Sequence, residues 1–236
     1  MKRTILISGA SRGIGRCIAE RLLKEGNNLS LGLRDPNVLK GTKLDPQIAG
    51  DKNILLTKYD AYEKEDANSW ASKTVNKFGQ LDTLINCAGI FNNVGLIFKE
   101  EEEKYIENLW KVNVMGPWFL TKACWPELIK GENGRILMII SMSGKRSKGN
   151  LAGYSTSKFA LMGLCQTMRN EGWDKGIRVA TINPSWVNTD MAMNINSISK
   201  ENMTQPEDIA EIANNILGLP NSCIPFEINI NCNLEK

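Results

Sequence analysis

Short apolar runs and longer amphipathic segments alternate along the chain. Seven runs carry the β-branched, nearly continuous apolar character of buried strands: Thr4–Ser8, Leu29–Leu33, Asn53–Lys58, Thr83–Cys87, Arg135–Ile140, Arg178–Asn183 and Phe226–Ile230. Helical spacing fills the intervals. It runs through Cys17, Ile18, Leu22 and Leu23 to Gly26, then over Tyr62–Phe78, Lys99–Lys130, Asn150–Trp173 and Glu207–Leu217. Gly116-Pro117 predicts a bend in the third of these, and the polar, Pro/Gly-punctuated Asp35–Asp51 predicts a loop with at most a short helix. This alternation predicts an α/β fold: one doubly wound parallel sheet of about seven strands with helices on both faces.

The first strand runs into Gly9-Ala10-Ser11-Arg12-Gly13-Ile14-Gly15 and then a helix. Strand, glycine turn and helix form a phosphate-binding context, with free N–H groups and a positive dipole end at the helix start. This predicts a Rossmann dinucleotide site using Gly9, Ser11, Arg12, Gly13, Ile14 and Gly15, and a single NAD(P)-binding domain over residues 1–236. An acidic residue ending the second strand would accept from a ribose 2′-hydroxyl. Here Leu33 is apolar and Arg34 is basic, with Arg12 nearby. Two guanidiniums suit a 2′-phosphate, so NADP(H) is favoured over NAD(H). Asp35 beside Arg34 is a competing partner. Asp60, after the third strand, and Asn86-Cys87-Ala88-Gly89, ending the fourth, lie where ligands meet such sheets.

Composition narrows the chemistry. The 236 residues contain no histidine, which removes Ser-His-Asp and Cys-His catalysis and histidine-ligated metal sites. No metal site is expected. A net charge of +3 argues neither for nucleic acid nor for a membrane surface. No apolar run approaches the ~18–20 residues of a membrane span. Six cysteines without CxxC spacing read as reduced cytosolic thiols, which predicts a cytoplasmic protein.

Acid/base work near neutral pH then falls to Tyr, Lys, Cys or a carboxylate. Tyr154 and Lys158 stand one helical turn apart. A lysine ~4 Å away at an effective dielectric of ~20 would favour the phenolate by about 4 kcal/mol, bringing the phenol towards operating pH. The same spacing is also common on inert helix faces. Asn113 lies mid-helix, where asparagine is a poor helix former, and a hydrogen-bonding duty would explain it. Trp110, Trp118 and Trp125 make that helix aromatic; core packing is the first expectation and a subunit interface the second.

Together these residues resemble the classical short-chain dehydrogenase/reductase (SDR) family over essentially the whole chain. The resemblance rests on Gly9-xxx-Gly13-x-Gly15, Asn86-Cys87-Ala88-Gly89, Asn113-x-x-Gly116, Ser141-x-x-Gly144, Tyr154-xxx-Lys158 and the segment from Pro184 to Thr189. It implies a catalytic tetrad of Asn113, Ser141, Tyr154 and Lys158. Tyr154 would exchange the proton, Ser141 would orient the substrate oxygen, Lys158 would lower the tyrosine pKa and bind the nicotinamide ribose, and Asn113 would hold a water. It also implies cofactor contacts from Asp60, Asn86, Ala88, Gly89, Pro184, Val187 and Thr189. Ser185 and Trp186 depart from the family's pattern after Pro184, and Asn231-Cys232-Asn233 replaces the usual Gly-Gly after the last strand, which makes a homodimer as plausible as a homotetramer.

The resemblance places substrate walls at Ile90–Val94, Ser143, Leu151, Trp186, Met191 and Met193, and implies a small-molecule carbonyl or alcohol that is hydrophobic or aromatic. A 3-oxoacyl-carrier-protein reductase is a specific alternative: Lys145, Arg146 and Lys148 suit an acidic carrier, whereas Glu132 does not. A non-catalytic NAD(P)-binding regulator is a second alternative, opposed by the complete tetrad. An epimerase or dehydratase of the extended branch is opposed by chain length and glycine spacing.

Overall fold

A computed structural model describes residues 2–131, 133–193, 195 and 197–233; Glu132 lies outside them. Seven strands form one parallel sheet: β1 (Thr4–Ser8), β2 (Asn28–Leu33), β3 (Ile54–Lys58), β4 (Thr83–Asn86), β5 (Arg135–Ile139), β6 (Arg178–Pro184) and β7 (Glu227–Ile230), in the order β3-β2-β1-β4-β5-β6-β7. The predicted strands stand within one residue at each end. The order reverses between β1 and β4, the crevice where open α/β sheets bind ligands.

Side chains alternate between two cores. Ile5 and Ile7 of β1 face α1 (Gly13–Lys24) and, further along the sheet, α7 (Pro206–Gly218), with Ile18, Leu22, Ile209 and Ala213 buried between. Leu6 faces the opposite layer, built from α3 (Lys64–Phe78), α5 (Gly116–Lys130) and α6 (Ala152–Gly172), with Trp70, Leu120 and Leu161 buried. The polar 35–51 segment holds a 3-10 turn and the one-turn α2 (Pro46–Ala49).

Trp70 sets a constraint that periodicity does not display. Its indole lies across β2 where Gly32 stands, and a Cβ there would meet the ring directly. Its Nε1 donates to Ser30 Oγ at 2.8 Å, so the fully buried indole is satisfied.

The long helix between β4 and β5 breaks earlier than Gly116-Pro117 suggests. After α4 (Glu103–Trp110), residues Lys111–Met115 form a π-helical segment, and α5 resumes at Gly116. Asn113 is at its centre, and such bulges concentrate at functional positions. The expectation of core packing fails for Trp110 and Trp118, which are 45% and 51% exposed, while Trp125 packs half-buried against the second core.

Candidate active site

Loops leaving the carboxyl ends of β1, β4, β5 and β6 enclose a cleft of about 290 Å³. Two are locked together at the base. Ser8 Oγ accepts from the N–H groups of Cys87 and Ala88, each at 3.2 Å. Gly9 turns there with φ +76°, and a Cβ on it would lie 2.7 Å from Ala88 N. Only glycine meets both demands. Helix α1 then starts at Gly13 with no side-chain cap from Arg12 and no acidic residue in its first turn. Its leading N–H groups and dipole end therefore face the cleft.

Arg12 and Arg34 both line one end of the cleft. Arg12 Nη1 is 3.3 Å from Asp190 Oδ2, an ion pair whose side chains are 70% and 59% exposed. Such an exposed pair is weak, about 0–1 kcal/mol. Asp35 does not pair with Arg34; its carboxylate accepts from Asn37 N and Nδ2 instead. Asp60 lines the cleft beside Tyr59 and Tyr62, and its Oδ1 accepts from Tyr62 N at 3.1 Å.

At the other end, β5 leads to Ser141, which lines the cleft with Tyr154 of α6. Ser141 Oγ accepts from Ser143 N at 3.0 Å. Phe91 meets the Tyr154 ring edge-on with centroids 4.9 Å apart. Lys158 Nζ sits 5.5 Å from that ring's centroid. Tyr154 and Lys158 are 7% and 5% exposed.

That burial corrects the expected electrostatics. Desolvation disfavours both charged forms: it pushes the Tyr154 phenol up to about 12, against a smaller lowering by the Ser141 hydrogen bond. It pushes the Lys158 ammonium down to about 8. The helical spacing brings the pair together as expected, but the packing that does so removes the water that would stabilise the charges.

Two expected contacts do not reach the cleft. Asn86 is 3% exposed and turns into the core, where Nδ2 donates to Met138 Sδ at 3.2 Å and Thr121 Oγ1 at 3.4 Å. Asn113 is fully buried behind the wall: Oδ1 accepts from Ile90 N, and Nδ2 donates to Ile90 O and to Ser157 Oγ. Ser157 Oγ in turn donates to Tyr154 O at 2.7 Å. The expected hydrogen-bonding duty of Asn113 is thus present, and its partners are the wall and the helix that carries Tyr154.

Every other expected catalytic or cofactor residue lines the cleft: Gly9, Ser11 to Gly15, Arg34, Asp60, Ala88, Gly89, Ser141, Tyr154, Lys158, Pro184, Val187 and Thr189. So do Ile90, Phe91, Ser143, Leu151, Trp186 and Met191, whereas residues 92–94 and Met193 lie outside the lining. Of the basic loop, Arg146 and Lys148 line the cleft. Lys145 instead pairs with Glu227 at 2.6 Å, so it does not join them. Sequence reasoning missed Tyr59, Tyr62, Met142 and Asp190. Their only signal was adjacency: the tyrosines flank Asp60, and the others follow Ser141 and Thr189. Among the described residues, no cluster of His, Cys, Asp or Glu could hold a metal.

The short chain dehydrogenase family model matches residues 3–200. An agropine synthesis reductase of Rhizobium rhizogenes is 36% identical over 98% of this chain and 53% of its own length. The chain thus spans about half the length of the first such relatives it matches. An acetoacetyl-CoA reductase of Allochromatium vinosum is 30% identical over 89% of each chain. Among solved structures, an alcohol dehydrogenase from the archaeon Thermococcus sibiricus, complexed with 5-hydroxy-NADP, superposes with a TM-score of 0.86 at 26% identity, covering 99% of this chain and 97% of its own. The glycine turn on β1, Ser141 and Tyr154 meeting in the cleft with Lys158 one turn on, and a family match across 3–200 lead to one conclusion: this chain belongs to the short-chain dehydrogenase family.

Proposed function

We propose that the protein is an NADP(H)-dependent oxidoreductase that interconverts a carbonyl and a secondary alcohol. The observation that carries this reading is that Ser141, Tyr154 and Lys158 together line the inner end of a cleft whose other end holds Arg12 and Arg34. The residues fit the cofactor: an uncapped α1 N-terminus suits pyrophosphate, and two guanidiniums beside apolar Leu33 suit a 2′-phosphate. Gly9, Ser11–Gly15, Arg34, Asp60, Ala88, Gly89, Lys158, Pro184, Val187 and Thr189 would hold it. When bound, nicotinamide supplies or accepts the hydride.

The protein's own groups manage the proton. Tyr154, kept protonated by its burial, donates to the carbonyl oxygen, which suits the reductive direction at neutral pH. Ser141 donates a hydrogen bond to the same oxygen and orients it. Lys158, whose lowered pKa of about 8 still leaves it mostly protonated at neutral pH, supplies both a cation beside the forming tyrosinate and a group able to return a proton. Asn113 acts on Tyr154 indirectly, as a positioning residue through Ser157. Phe91, Leu151 and Trp186 make the opposite wall apolar.

Tyr105, Trp110, Trp118 and Phe159, exposed on α4, α5 and α6, support a homodimer or homotetramer. Free thiols at Cys17, Cys87, Cys124, Cys165 and Cys223 support a reducing cytoplasmic setting. The test is NADPH absorbance across a carbonyl panel, with Tyr154→Phe alongside. The variant should lose turnover yet bind NADPH nearly as tightly by fluorescence titration. Appreciable turnover without the phenol would refute the role of Tyr154, and silence of the parent across the panel would favour a non-catalytic NAD(P)-binding protein.

A further inference from the structure

A second recess opens at the opposite end of the sheet, among the amino ends of the strands. Arg3, Asn133 and Arg135 line it together with the turn that leaves α7, Leu217 to Asn221. Arg3 precedes β1 and Arg135 opens β5. At ~3.3 Å per residue, the recess stands about 20 Å from Ser141, beyond the far end of β5.

Arg3 and Arg135 are 8% and 2% exposed. Arg3 makes three side-chain bonds, all through Nη1: to Asp82 Oδ1, Thr83 Oγ1 and Asn133 O, each at 3.3 Å. Its Nε and Nη2 have no partner among the described residues, and neither atom is fully enclosed. Those two N–H groups form the side-on edge of the guanidinium fork, which matches carboxylate and phosphate oxygens. Arg135 meets neutral partners: Nη1 donates to Gly134 O and Asn221 Oδ1, and Nη2 donates to Leu219 O. Its Nε is buried without a partner. A buried charge is ordinarily paired, and this one has no carboxylate bonded to it.

The charge balance decides what the recess favours. Arg178, which opens β6, acts on Arg135 as a like charge, as Arg3 does, and Asp82 is the opposing carboxylate. Asp82 is already engaged: besides Arg3 it accepts from Thr4 N at 2.9 Å, Gln80 Nε2 and Thr83 Oγ1. The carbonyl end of α7 adds about half a negative charge. Three guanidiniums against about one and a half negative charges leave an excess of more than one. Burial, then the two like charges, push Arg135 down to about 10, as expected of a cation short of a counterion.

We propose that this recess is a binding site for a small oxyanion, a phosphate or a carboxylate, held by the Nε/Nη2 edge of Arg3 in the field of Arg135. The bound anion ties the start of β1 to the start of β5 and to the turn after α7. It therefore acts on stability and leaves turnover in the distant cleft alone.

The experiment titrates NADPH-loaded protein, whose glycine turn is already filled, with sodium phosphate or sodium acetate. Sodium chloride of equal ionic strength is the control. Calorimetry should show one saturable site for at least one of the two anions, and the one that binds tells phosphate from carboxylate. A hundredfold excess over Kd should raise the melting temperature by about 5–10 °C beyond the chloride control. Arg3→Lys keeps the charge without the fork and should weaken binding about tenfold. Asn133→Asp adds a carboxylate to the lining and should abolish both the binding and the thermal increment, with kcat and KM unchanged. That variant localises the ion even if NADPH does not bind. Binding of neither anion by the parent overturns the proposal, and so does binding that Asn133→Asp leaves intact. Glu132 precedes Asn133 in the sequence. An anion that binds only after Glu132→Gln would mean that the chain supplies its own counterion, which also overturns the proposal.

Discussion

Asn113 clamps the main chain of Ile90 from both sides, accepting from its N–H at 2.8 Å and donating to its carbonyl at 3.0 Å. Ile90 belongs to the cleft wall, and the third bond of Asn113 reaches Ser157 on α6. Asn113→Ala would leave two part-buried backbone groups of Ile90 without this partner, each costing at most about 1–3 kcal/mol. The melting temperature should fall by several degrees, at about 2–4 °C per kcal/mol for a chain of this size. Turnover should fall further than NADPH affinity, because the wall and the Tyr154 helix shift relative to each other. Calorimetry and steady-state kinetics check both; an unchanged melting temperature would show the clamp to be idle.

The buried Lys158 and Tyr154 give stability a two-sided pH dependence. Lys158 has its pKa lowered on folding, so between pH 8 and its ordinary value near 10.5 the unfolded chain holds the extra proton. Stability contributed through Lys158 therefore rises with pH across that window, by up to about 3 kcal/mol. Tyr154 has its pKa raised from 10 to about 12, so the folded chain holds the extra proton there and stability falls as pH rises through that range. Lys158→Met should accordingly be more stable than the parent at pH 7 and lose that advantage by pH 10. Denaturant titrations at the two pH values decide it, and a pH-independent difference would contradict the buried-charge account.

Gly32 is expected to tolerate no side chain. Gly32→Ala places a methyl group against the Trp70 indole, whose Nε1 is tied to Ser30 and whose ring also lies 4.8 Å from that of Tyr59. Overpacking of this kind costs about 1–3 kcal/mol. Urea unfolding should show the loss, and a Trp70→Phe background should relieve part of it.

At the adenosine end, Arg12 is shared with Asp190. Asp190→Asn releases it and should tighten NADPH binding severalfold without affecting NADH. Arg34→Asp should reverse the preference, since a carboxylate there repels a 2′-phosphate and accepts from a 2′-hydroxyl. Fluorescence titration with both cofactors reads the outcome; equal NADPH and NADH affinities in the parent would remove the role given to Arg12 and Arg34.

The sheet was legible because each strand carries its own apolar run, and the alternation of runs fixes a doubly wound topology. The cleft was legible where a residue type is chemically odd for its place: three glycines after a strand, an asparagine within a helix, a phenol one turn from an ammonium. What could not be read was direction. Asn86 and Ala88 are two residues apart, yet one side chain enters the core at Thr121 and the other residue meets the cleft. Lys145 and Arg146 are adjacent, and one turns to Glu227 on the edge strand while the other turns inward. Electrostatics was misjudged for a related reason: helical spacing reports that two charges are near, and burial decides whether either is charged.

The π-helical segment at Lys111–Met115 carries a consequence for how such a chain can change length. It holds one residue more than a regular helix would over the same rise. Deleting any residue from it would restore uninterrupted i→i−4 bonding and make a better helix. It would also rotate everything before the deletion by about a quarter turn relative to everything after, since successive α-helical residues are ~100° apart. Asn113 would then leave Ile90, or α4 would leave α6. A helix-improving deletion and a working cleft are therefore mutually exclusive here, and the extra residue persists as the local irregularity that keeps two helices in register.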